Sequence, residues 1–345
     1  MECFRDLPKV NLHQHLEGAV RPETFLQLVK EYQVDLPIDT VEESRQYLQV
    51  SGTESSLADF LDKIHRIFAV SRFPGVLKRF AYEAVEDAYR QNVQYLEIRF
   101  GPWQHLENNQ GVHEPIEQVL AGIQAAKHKY PIDARLIVCA LRNDSDPTKN
   151  MDLVEVAAAY QNQGVVGFDI AGDEARYPAS NFKEIFAKAK KHGLGITVHA
   201  GEVGPGQSVI DAIVELSADR IGHGIQIAAD FKLVAQVKQA GVTLEVCPTS
   251  NVHTKAVSSY ASHPIRTLFE QGIPISLGDD DPTTSGINIS SEYQVLKEKF
   301  DFNSQEVCQI VLNGARAAFL PDNEKQQLIS RLELDLKKWQ ARVDF

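Results

Sequence analysis

Residues 195–224, GITVHAGEVGPGQSVIDAIVELSADRIGHG, hold two short apolar runs that are separated by a longer stretch with a different apolar spacing. The short runs, 195–199 and 220–223, have the length and composition of β-strands. Residues 209–216 instead carry apolar side chains at the spacing of one helix face. A strand, a helix and a second strand in succession are typical of parallel neighbours joined by a crossover helix. The stretch therefore predicts one β-α-β unit.

The same alternation continues through the rest of the chain. Six further runs have the composition of strands, and they lie at 10–13, 93–100, 134–141, 164–171, 242–247 and 273–277. Helical spacing recurs between the later runs, at 182–192, 230–240 and 263–271. Eight strands and intervening helices in 345 residues are typical of a closed barrel of parallel strands. We predict an α/β fold, a (β/α)8 TIM barrel, and interpret residues 1–345 as a single domain.

The connection between the first two strand-like runs is unusually long, at about eighty residues. An ordinary connection of this type has only a few residues. Its apolar spacing predicts helices at 22–32, 57–69 and 79–91. We interpret residues from about 20 to 75 as a helical insertion after strand 1. Beyond the eighth run, we expect extra C-terminal helices at 304–317 and 324–345.

Composition and charge exclude several classes of protein. The chain has 35 basic and 47 acidic residues and a net charge of −12, so it repels phosphate backbones and is not expected to bind nucleic acid. Its four cysteines lie far apart without a C-x-x-C pair, which disfavours a disulfide framework and suits a reducing compartment. The sequence has no signal-peptide pattern at its N-terminus and no apolar run long enough for a membrane span. We therefore expect a cytoplasmic protein.

Residues that bind metals cluster where the strand-like runs end, which is the functional face of a barrel. His13 and His15 stand two apart in a run with strand periodicity, so both imidazoles face one side and can share a metal. His199 ends another run, and residues 279–281 supply three aspartates after the last one. Three histidines and one carboxylate, with room for water, are the ligand set of an open hydrolytic zinc site.

Five motifs around these positions resemble those of the adenosine deaminase family. They are 10–19 (VNLHQHLEGA), 168–174 (FDIAGDE), 197–202 (TVHAGE), 220–224 (RIGHG) and 276–282 (SLGDDDP). They follow the order and approximate spacing of the family over nearly the whole chain. The resemblance implies a metal-dependent hydrolase that converts adenosine and 2′-deoxyadenosine to inosine and deoxyinosine plus ammonia, in purine salvage.

The resemblance implies one zinc ion per chain, held by His13, His15, His199 and Asp280. Related barrel hydrolases bridge two metals with a modified lysine at the end of strand 4, but residues 168–174 contain no lysine. The zinc would lower the pKa of a bound water towards about 7, and the resulting hydroxide would attack C6 of the purine.

Two further residues receive catalytic roles from the resemblance. Glu202 matches the group that donates a proton to N1 of the purine, so its carboxyl group must be protonated at neutral pH. His223 matches the histidine that faces and orients the attacking water.

The resemblance also implies a substrate pocket. Asp281 matches the residue that hydrogen-bonds N7, the backbone at Gly172 matches the group that meets N3, and Glu17 matches an acidic residue that meets the ribose 5′-hydroxyl. Leu57, Phe60 and Leu61 match an apolar gate over the purine. Their spacing alone, at i, i+3 and i+4, would be more typical of core residues. The expected partner is a small-molecule purine nucleoside, and the oligomeric state stays open.

The exact substrate remains open because the chain departs from the family at two places. Glu17 stands where adenosine deaminases generally have Asp, and adenine deaminases also carry Glu there. Gly278 and Asp279 stand where Asn-Thr is usual, whereas residues 171–174 follow the adenosine branch. Deamination of adenine or of a 5′-modified adenosine is the alternative. The absence of a basic cluster at a strand end disfavours AMP. A catalytically silent barrel that binds a nucleoside or a partner protein is a more remote alternative.

The remaining conspicuous residues are interpreted as structural. Arg99 is interpreted as a buried residue that pairs with a carboxylate such as Asp173, with contact to the substrate as the alternative. Cys247 is expected to be a buried apolar residue. The same structural interpretation applies to seven histidines: His65, His105, His113, His128, His192, His253 and His263.

Overall fold

Eight parallel strands pair in chain order and form the wall of a barrel in the computed structural model, which describes residues 2–106, 111–142, 147–174, 176–343 and 345. The strands are β1 (Lys9–His15), β2 (Val93–Phe100), β3 (Asp133–Leu141), β4 (Val165–Ala171), β5 (Gly195–Ala200), β6 (Arg220–His223), β7 (Thr243–Val246) and β8 (Ile275–Leu277). Every predicted strand is present, and the predicted (β/α)8 barrel is confirmed.

The first and last strands meet at their carboxyl ends and close the barrel. The amide of His15 donates to the carbonyl of Asp280 at 2.8 Å, and the amide of Asp280 donates to the carbonyl of His13 at 3.0 Å. β1 is longer than its apolar run because polar residues continue the pairing, as far as His15 opposite Arg99. β8 begins at Ile275, after Pro274, which has no amide hydrogen to donate to a neighbouring strand.

Helices surround the barrel and cover its ends. They are α1 (Glu2–Arg5), α2 (Pro22–Glu31), α3 (Val41–Leu48), α4 (Leu57–His65), α5 (Phe68–Ser71), α6 (Val76–Arg90), α7 (His113–Lys129), α8 (Pro147–Ala159), α9 (Lys183–Lys191), α10 (Gln207–Glu215), α11 (Phe231–Ala240), α12 (Pro248–His253), α13 (Ile265–Glu270), α14 (Pro282–Ser285), α15 (Ile289–Phe300), α16 (Ser304–Ala317) and α17 (Asp322–Gln340). Among the described residues, no helix combines the length and the apolar character needed to cross a membrane.

Two helix predictions were wrong in their extent. The expected helix at 57–69 is two helices, α4 and α5, because the amides of Arg66, Ile67 and Ala69 bond three residues back and tighten the chain between them. The expected helix at 324–345 begins at Asp322 and ends at Gln340. The prediction of a helix at 304–317 agrees with α16.

A buried ion cluster fills the barrel interior near the amino ends of the strands. Arg220 bonds Glu97 at 2.5 Å and Glu245 at 2.6 Å, and all three side chains are almost completely buried. The Arg220 guanidinium also lies 3.6 Å from the ring centre of Phe319. Phe319 leaves no room for a side chain at the start of β5, since a Cβ added at Gly195 would approach its ring to 2.5 Å. The ion cluster and the Phe319 ring together close the barrel at the amino ends of its strands.

Arg220→Met should destabilise the protein strongly, because it leaves the buried carboxylates of Glu97 and Glu245 with one cation fewer. Breaking a buried pair typically costs about 3–5 kcal/mol. The matched control is Lys190→Met, which removes an ion pair with Asp219 whose side chains are 44% and 40% exposed. Such a pair contributes about 0–1 kcal/mol. Urea denaturation should show a much lower midpoint for Arg220→Met only, and equal midpoints would contradict the importance of the cluster.

Candidate active site

Three histidines and one aspartate converge at the carboxyl end of the barrel. One ligand atom from each of His13, His15, His199 and Asp280 lies within 4.8 Å of the other three. The Nε2 atoms of His15 and His199 are 3.1 Å apart, and Asp280 Oδ1 lies 3.2 Å from His13 Nε2. His13 Nε2 is buried and has no hydrogen-bond partner. Buried nitrogen lone pairs facing a carboxylate are costly unless a cation fills the space between them, so the residues fit a metal ion.

Two buried carboxylates orient the histidine rings towards this space. His13 Nδ1 donates to Glu245 at 2.8 Å, and His199 Nδ1 donates to Asp169 at 3.0 Å. Because each Nδ1 carries the proton, each Nε2 presents a lone pair to the centre of the group. The sequence analysis missed both carboxylates. The signal for them was a charged residue inside an otherwise apolar strand, at Glu245 in β7 and Asp169 in β4.

Arg99 neutralises the same two carboxylates. Its guanidinium bonds Asp169 at 2.8 Å and Glu245 at 2.6 Å, and its side chain is fully buried. The prediction of a buried ion pair was right in kind, but the suggested partner, Asp173, was wrong. Asp173 lies in the loop after β4, whereas Asp169 lies inside the barrel wall where it faces the guanidinium.

Glu202 is a buried acid beside the histidine cluster. Burial, followed by the negative charge of Asp280, raises the pKa of Glu202 to about 7. The hydroxyl of Thr254 donates to Glu202 Oε1 at 2.9 Å, so a proton on this carboxyl group resides on Oε2. That oxygen lies 3.7 Å from Nε2 of His223. Glu202 can therefore be a neutral acid at physiological pH with its proton directed into the site.

The loop that carries Glu202 is held by a second glutamate, Glu174. The Glu174 carboxylate accepts the amides of Glu202, Val203 and Gly204 at 2.8, 2.8 and 2.6 Å, and that of Gly201 at 2.8 Å. Four amide donors on one carboxylate fix the backbone of the loop. The sequence analysis included Glu174 in a motif but gave it no role.

A chain of hydrogen bonds fixes the tautomer of His223. The amide of Ile265 donates to His263 Nδ1 at 3.1 Å, so neutral His263 carries its proton on Nε2. That proton is donated to Asn251 Oδ1 at 3.1 Å, which directs the Asn251 amide nitrogen to His223 Nδ1, also at 3.1 Å. His223 Nδ1 is therefore an acceptor, and the proton of His223 is on Nε2.

Burial keeps both histidines of this chain neutral. It lowers the pKa of His223 to about 4 and that of His263 to about 3. The protonated Nε2 of His223 faces the site, where Glu202 Oε2 and Asp280 Oδ2 lie at 3.7 and 3.8 Å. His223 is thus a hydrogen-bond donor towards the site. His263, which the sequence analysis treated as structural, acts through Asn251 to determine this.

A cavity of about 250 Å³ opens in front of these groups. Most of the predicted site residues line it, namely His15, Glu17, Leu57, Phe60, Leu61, Gly172, His199, Glu202, His223, Asp280 and Asp281. His13, the remaining member of the group, is fully buried and does not line the cavity. Leu57, Phe60 and Leu61 belong to α4, so the helical insertion forms an apolar wall of the cavity.

Unpaired polar atoms in the cavity wall indicate a polar ligand. Glu17 Oε2 and Asp281 Oδ1 are buried and have no hydrogen-bond partner. Burial, together with the charge of Asp280, raises the pKa of Asp281 well above its ordinary value. Asp281 also requires a glycine opposite, because a Cβ at Gly18 would lie 1.9 Å from its Oδ1. Unpaired buried groups are costly in an empty protein and are satisfied when a matching ligand binds.

Comparison with known proteins shows similarity in both sequence and structure. The adenosine deaminase family model matches residues 8–334. The adenosine deaminase of Clostridium acetobutylicum is 37% identical over 332 residues, which cover 96% of this chain and 99% of the relative. A Burkholderia ambifaria amidohydrolase with bound Zn has a TM-score of 0.89 at 28% identity and covers 98% and 93% of the two chains. The adenine deaminase of Arthrobacter aurescens has a TM-score of 0.88 at 26% identity and covers 96% and 99%.

We expect about one equivalent of zinc per chain, because the group offers three nitrogen ligands and one carboxylate oxygen. Asp280→Ala should lose most of the metal. The matched control is Asp279→Ala, since Asp279 is equally buried but bonds Asn11 at 2.7 Å and is not one of the converging residues. Elemental analysis of the purified variants measures the difference. Similar zinc contents in both variants would contradict the ligand assignment.

Proposed function

This chain belongs to the adenosine deaminase family, and we propose how its barrel hydrolyses adenosine and 2′-deoxyadenosine at C6 of the purine. The protein is a hydrolase that deaminates adenosine. The observation that carries the proposal is a buried acid of raised pKa, Glu202, beside four converging side chains of metal-ligand type, three of which line the same cavity. Such a juxtaposition supplies both an activated water and a proton donor, which hydrolytic deamination requires.

The proposed metal is one zinc ion held by His13, His15, His199 and Asp280. Three imidazole nitrogens and one carboxylate oxygen suit zinc and leave room for a further ligand. When bound there, zinc supplies a Lewis acid that makes water nucleophilic at neutral pH. The buried carboxylates of Glu245 and Asp169 support this proposal. They hold the imidazoles of His13 and His199 in the tautomer that binds a metal.

Glu202 is the proposed proton donor to N1 of the purine. Addition of an oxygen at C6 places negative charge on the ring, and a neutral carboxyl group near N1 relieves it. His223 donates from Nε2 towards the oxygen that adds to C6, since its Nδ1 is already an acceptor from Asn251. The two protons of the water balance the reaction: one replaces the proton that Glu202 gives to N1, and the other converts the leaving amino group, which already carries two protons, into ammonia.

Three residues are proposed to bind the nucleoside. A neutral Asp281 carboxyl group donates to N7, the backbone at Gly172 meets N3, and Glu17 Oε2 accepts from the ribose 5′-hydroxyl. The apolar side chains of α4 cover the purine and exclude water. The unpaired Oε2 of Glu17 favours a nucleoside over adenine, because the free base has no hydroxyl to satisfy it. The small-molecule partner is accordingly a purine nucleoside.

The cysteines support a cytoplasmic location, which we also propose. All four are free thiols, and three of them are buried. Unpaired cysteines are typical of proteins that work in a reducing compartment.

Glu202→Gln should lower kcat by at least about 10²-fold, because the amide retains the shape of the side chain but cannot deliver a proton to N1. Zinc content should be unchanged. Glu292→Gln is a matched control, since Glu292 is also buried with a pKa raised to about 7 by burial but does not line the cavity. Its kcat should stay within a few-fold of wild type. Equal losses in the two variants would mean that Glu202 is not the acid.

The substrate assignment predicts that Glu17→Ala lowers kcat/KM for adenosine roughly ten- to a hundredfold. A charge-assisted hydrogen bond to a buried carboxylate contributes about 1.5–3 kcal/mol. Turnover of adenine, which lacks the hydroxyl, should scarcely change. The loss of absorbance of the 6-aminopurine measures both reactions. A wild-type kcat/KM that is higher for adenine than for adenosine would reverse the assignment.

A further inference from the structure

We propose that His105 is a positioning residue that holds Glu17 in the geometry needed to recognise the ribose 5′-hydroxyl. This inference rests on the proposed function of the site, because it concerns how Glu17 distinguishes a nucleoside from a purine without that hydroxyl. His105 does not line the cavity. It acts through Glu17, which is bonded to His105 and lines the cavity.

The two oxygens of Glu17 have different environments. Oε1 accepts the amide of Gly101 at 2.8 Å and Nε2 of His105 at 3.1 Å. Oε2 is buried and has no partner. The two bonds to Oε1 fix the plane of the carboxylate, so Oε2 is the one oxygen of this residue that a ligand can use.

The ring of His105 is itself fixed by one hydrogen bond and two aromatic contacts. Its Nδ1 lies 2.8 Å from the hydroxyl of Ser71, the last residue of α5. Its ring packs edge-on to Phe68 at 5.1 Å and stacks near Phe100 at 5.9 Å between ring centres. Because a carboxylate accepts only, Nε2 of His105 carries the proton given to Glu17, and in the neutral ring Nδ1 is then the acceptor from Ser71. The ring therefore has one tautomer and one orientation.

This arrangement explains how a glutamate serves where the family generally has an aspartate. The extra methylene of Glu17 adds a rotatable bond, which would let a free carboxylate swing away from the ribose. Freezing that rotation on binding would cost affinity. The bonds to Gly101 and His105 freeze it beforehand. The hydrogen bond from His105 thus holds the longer side chain of Glu17 in one conformation.

The test compares adenosine with 5′-deoxyadenosine, which lacks only the hydroxyl in question. Wild type should prefer adenosine by about tenfold or more in kcat/KM. His105→Asn keeps a polar group near Ser71 but is too short to reach Glu17, so the preference should fall to a few-fold, mainly through a higher KM for adenosine. The kinetics of 5′-deoxyadenosine should change little. His105→Gln restores a donor near the position of Nε2 and should recover most of the preference.

Two controls separate positioning from a general structural effect. His113→Asn makes the same change at a histidine that lies outside the cavity and pairs with Tyr160 at 3.1 Å, so the preference should be retained. Ser71→Ala is a milder change that loosens the His105 ring and should reduce the preference in the same direction. It keeps the inference testable if His105→Asn does not fold.

The outcomes distinguish this inference from the proposed function. Equal losses for the two substrates in His105→Asn, or an unchanged preference in both His105→Asn and Ser71→Ala, would overturn the role of His105 and leave the proposed function standing. A wild type that acts on adenosine but does not discriminate against 5′-deoxyadenosine would also overturn it. A wild type that does not deaminate adenosine would overturn the proposed function, and this inference with it.

Discussion

The buried Glu245 carboxylate is the interaction on which both the barrel and its site depend. One oxygen accepts from Arg220 and Thr197, and the other accepts from Arg99 and His13. An isolated charge at this depth would be prohibitive, so the two guanidinium groups are a condition for its presence. The carboxylate also orients the ring of His13, because it accepts the proton on Nδ1. The same ion cluster that packs the barrel interior therefore orients a proposed metal ligand.

The acids around the cavity are placed in environments that differ in charge. Glu245 lies between two arginines, whereas no Arg or Lys side chain among the described residues forms an ion pair with Glu202 or Asp281, which share the field of Asp280. Burial without a cation raises the pKa of both, which suits groups that must donate protons to a ring nitrogen. The site thus brings together buried carboxyl groups of opposite protonation, because arginines contact Glu245 behind the cavity, whereas none of the described arginines pairs with Glu202 or Asp281 in its wall.

The barrel and the convergence of the proposed metal ligands could be predicted from regular spacing, whereas the substrate roles of Glu17, Gly172 and Asp281 came from the family resemblance. Strand periodicity put His13 and His15 on one side, and the strand ends located Glu202 and His223. The supporting residues could not be found in this way. Asp169, Glu174, Asn251 and His263 act through partners far away in the chain, and only the closed barrel brings them together. Glu17 could likewise be predicted from its place in the first motif, but its hydrogen bond to His105 could not. That bond depends on how the helical insertion packs against the residues after β2.

The seam between the first and last strands has a consequence for how the protein is made. Two of the proposed ligands, His13 and His15, lie on β1, and Asp280 follows β8, where backbone bonds join the two strand ends. A metal bound there would link residues 13 and 280, which are separated by most of the chain. Links between such distant residues reduce the conformational entropy of the unfolded chain more than short-range links do. During synthesis the ribosome must release β8 before the ligand group exists. A partly made barrel therefore cannot capture the ion prematurely in its finished geometry.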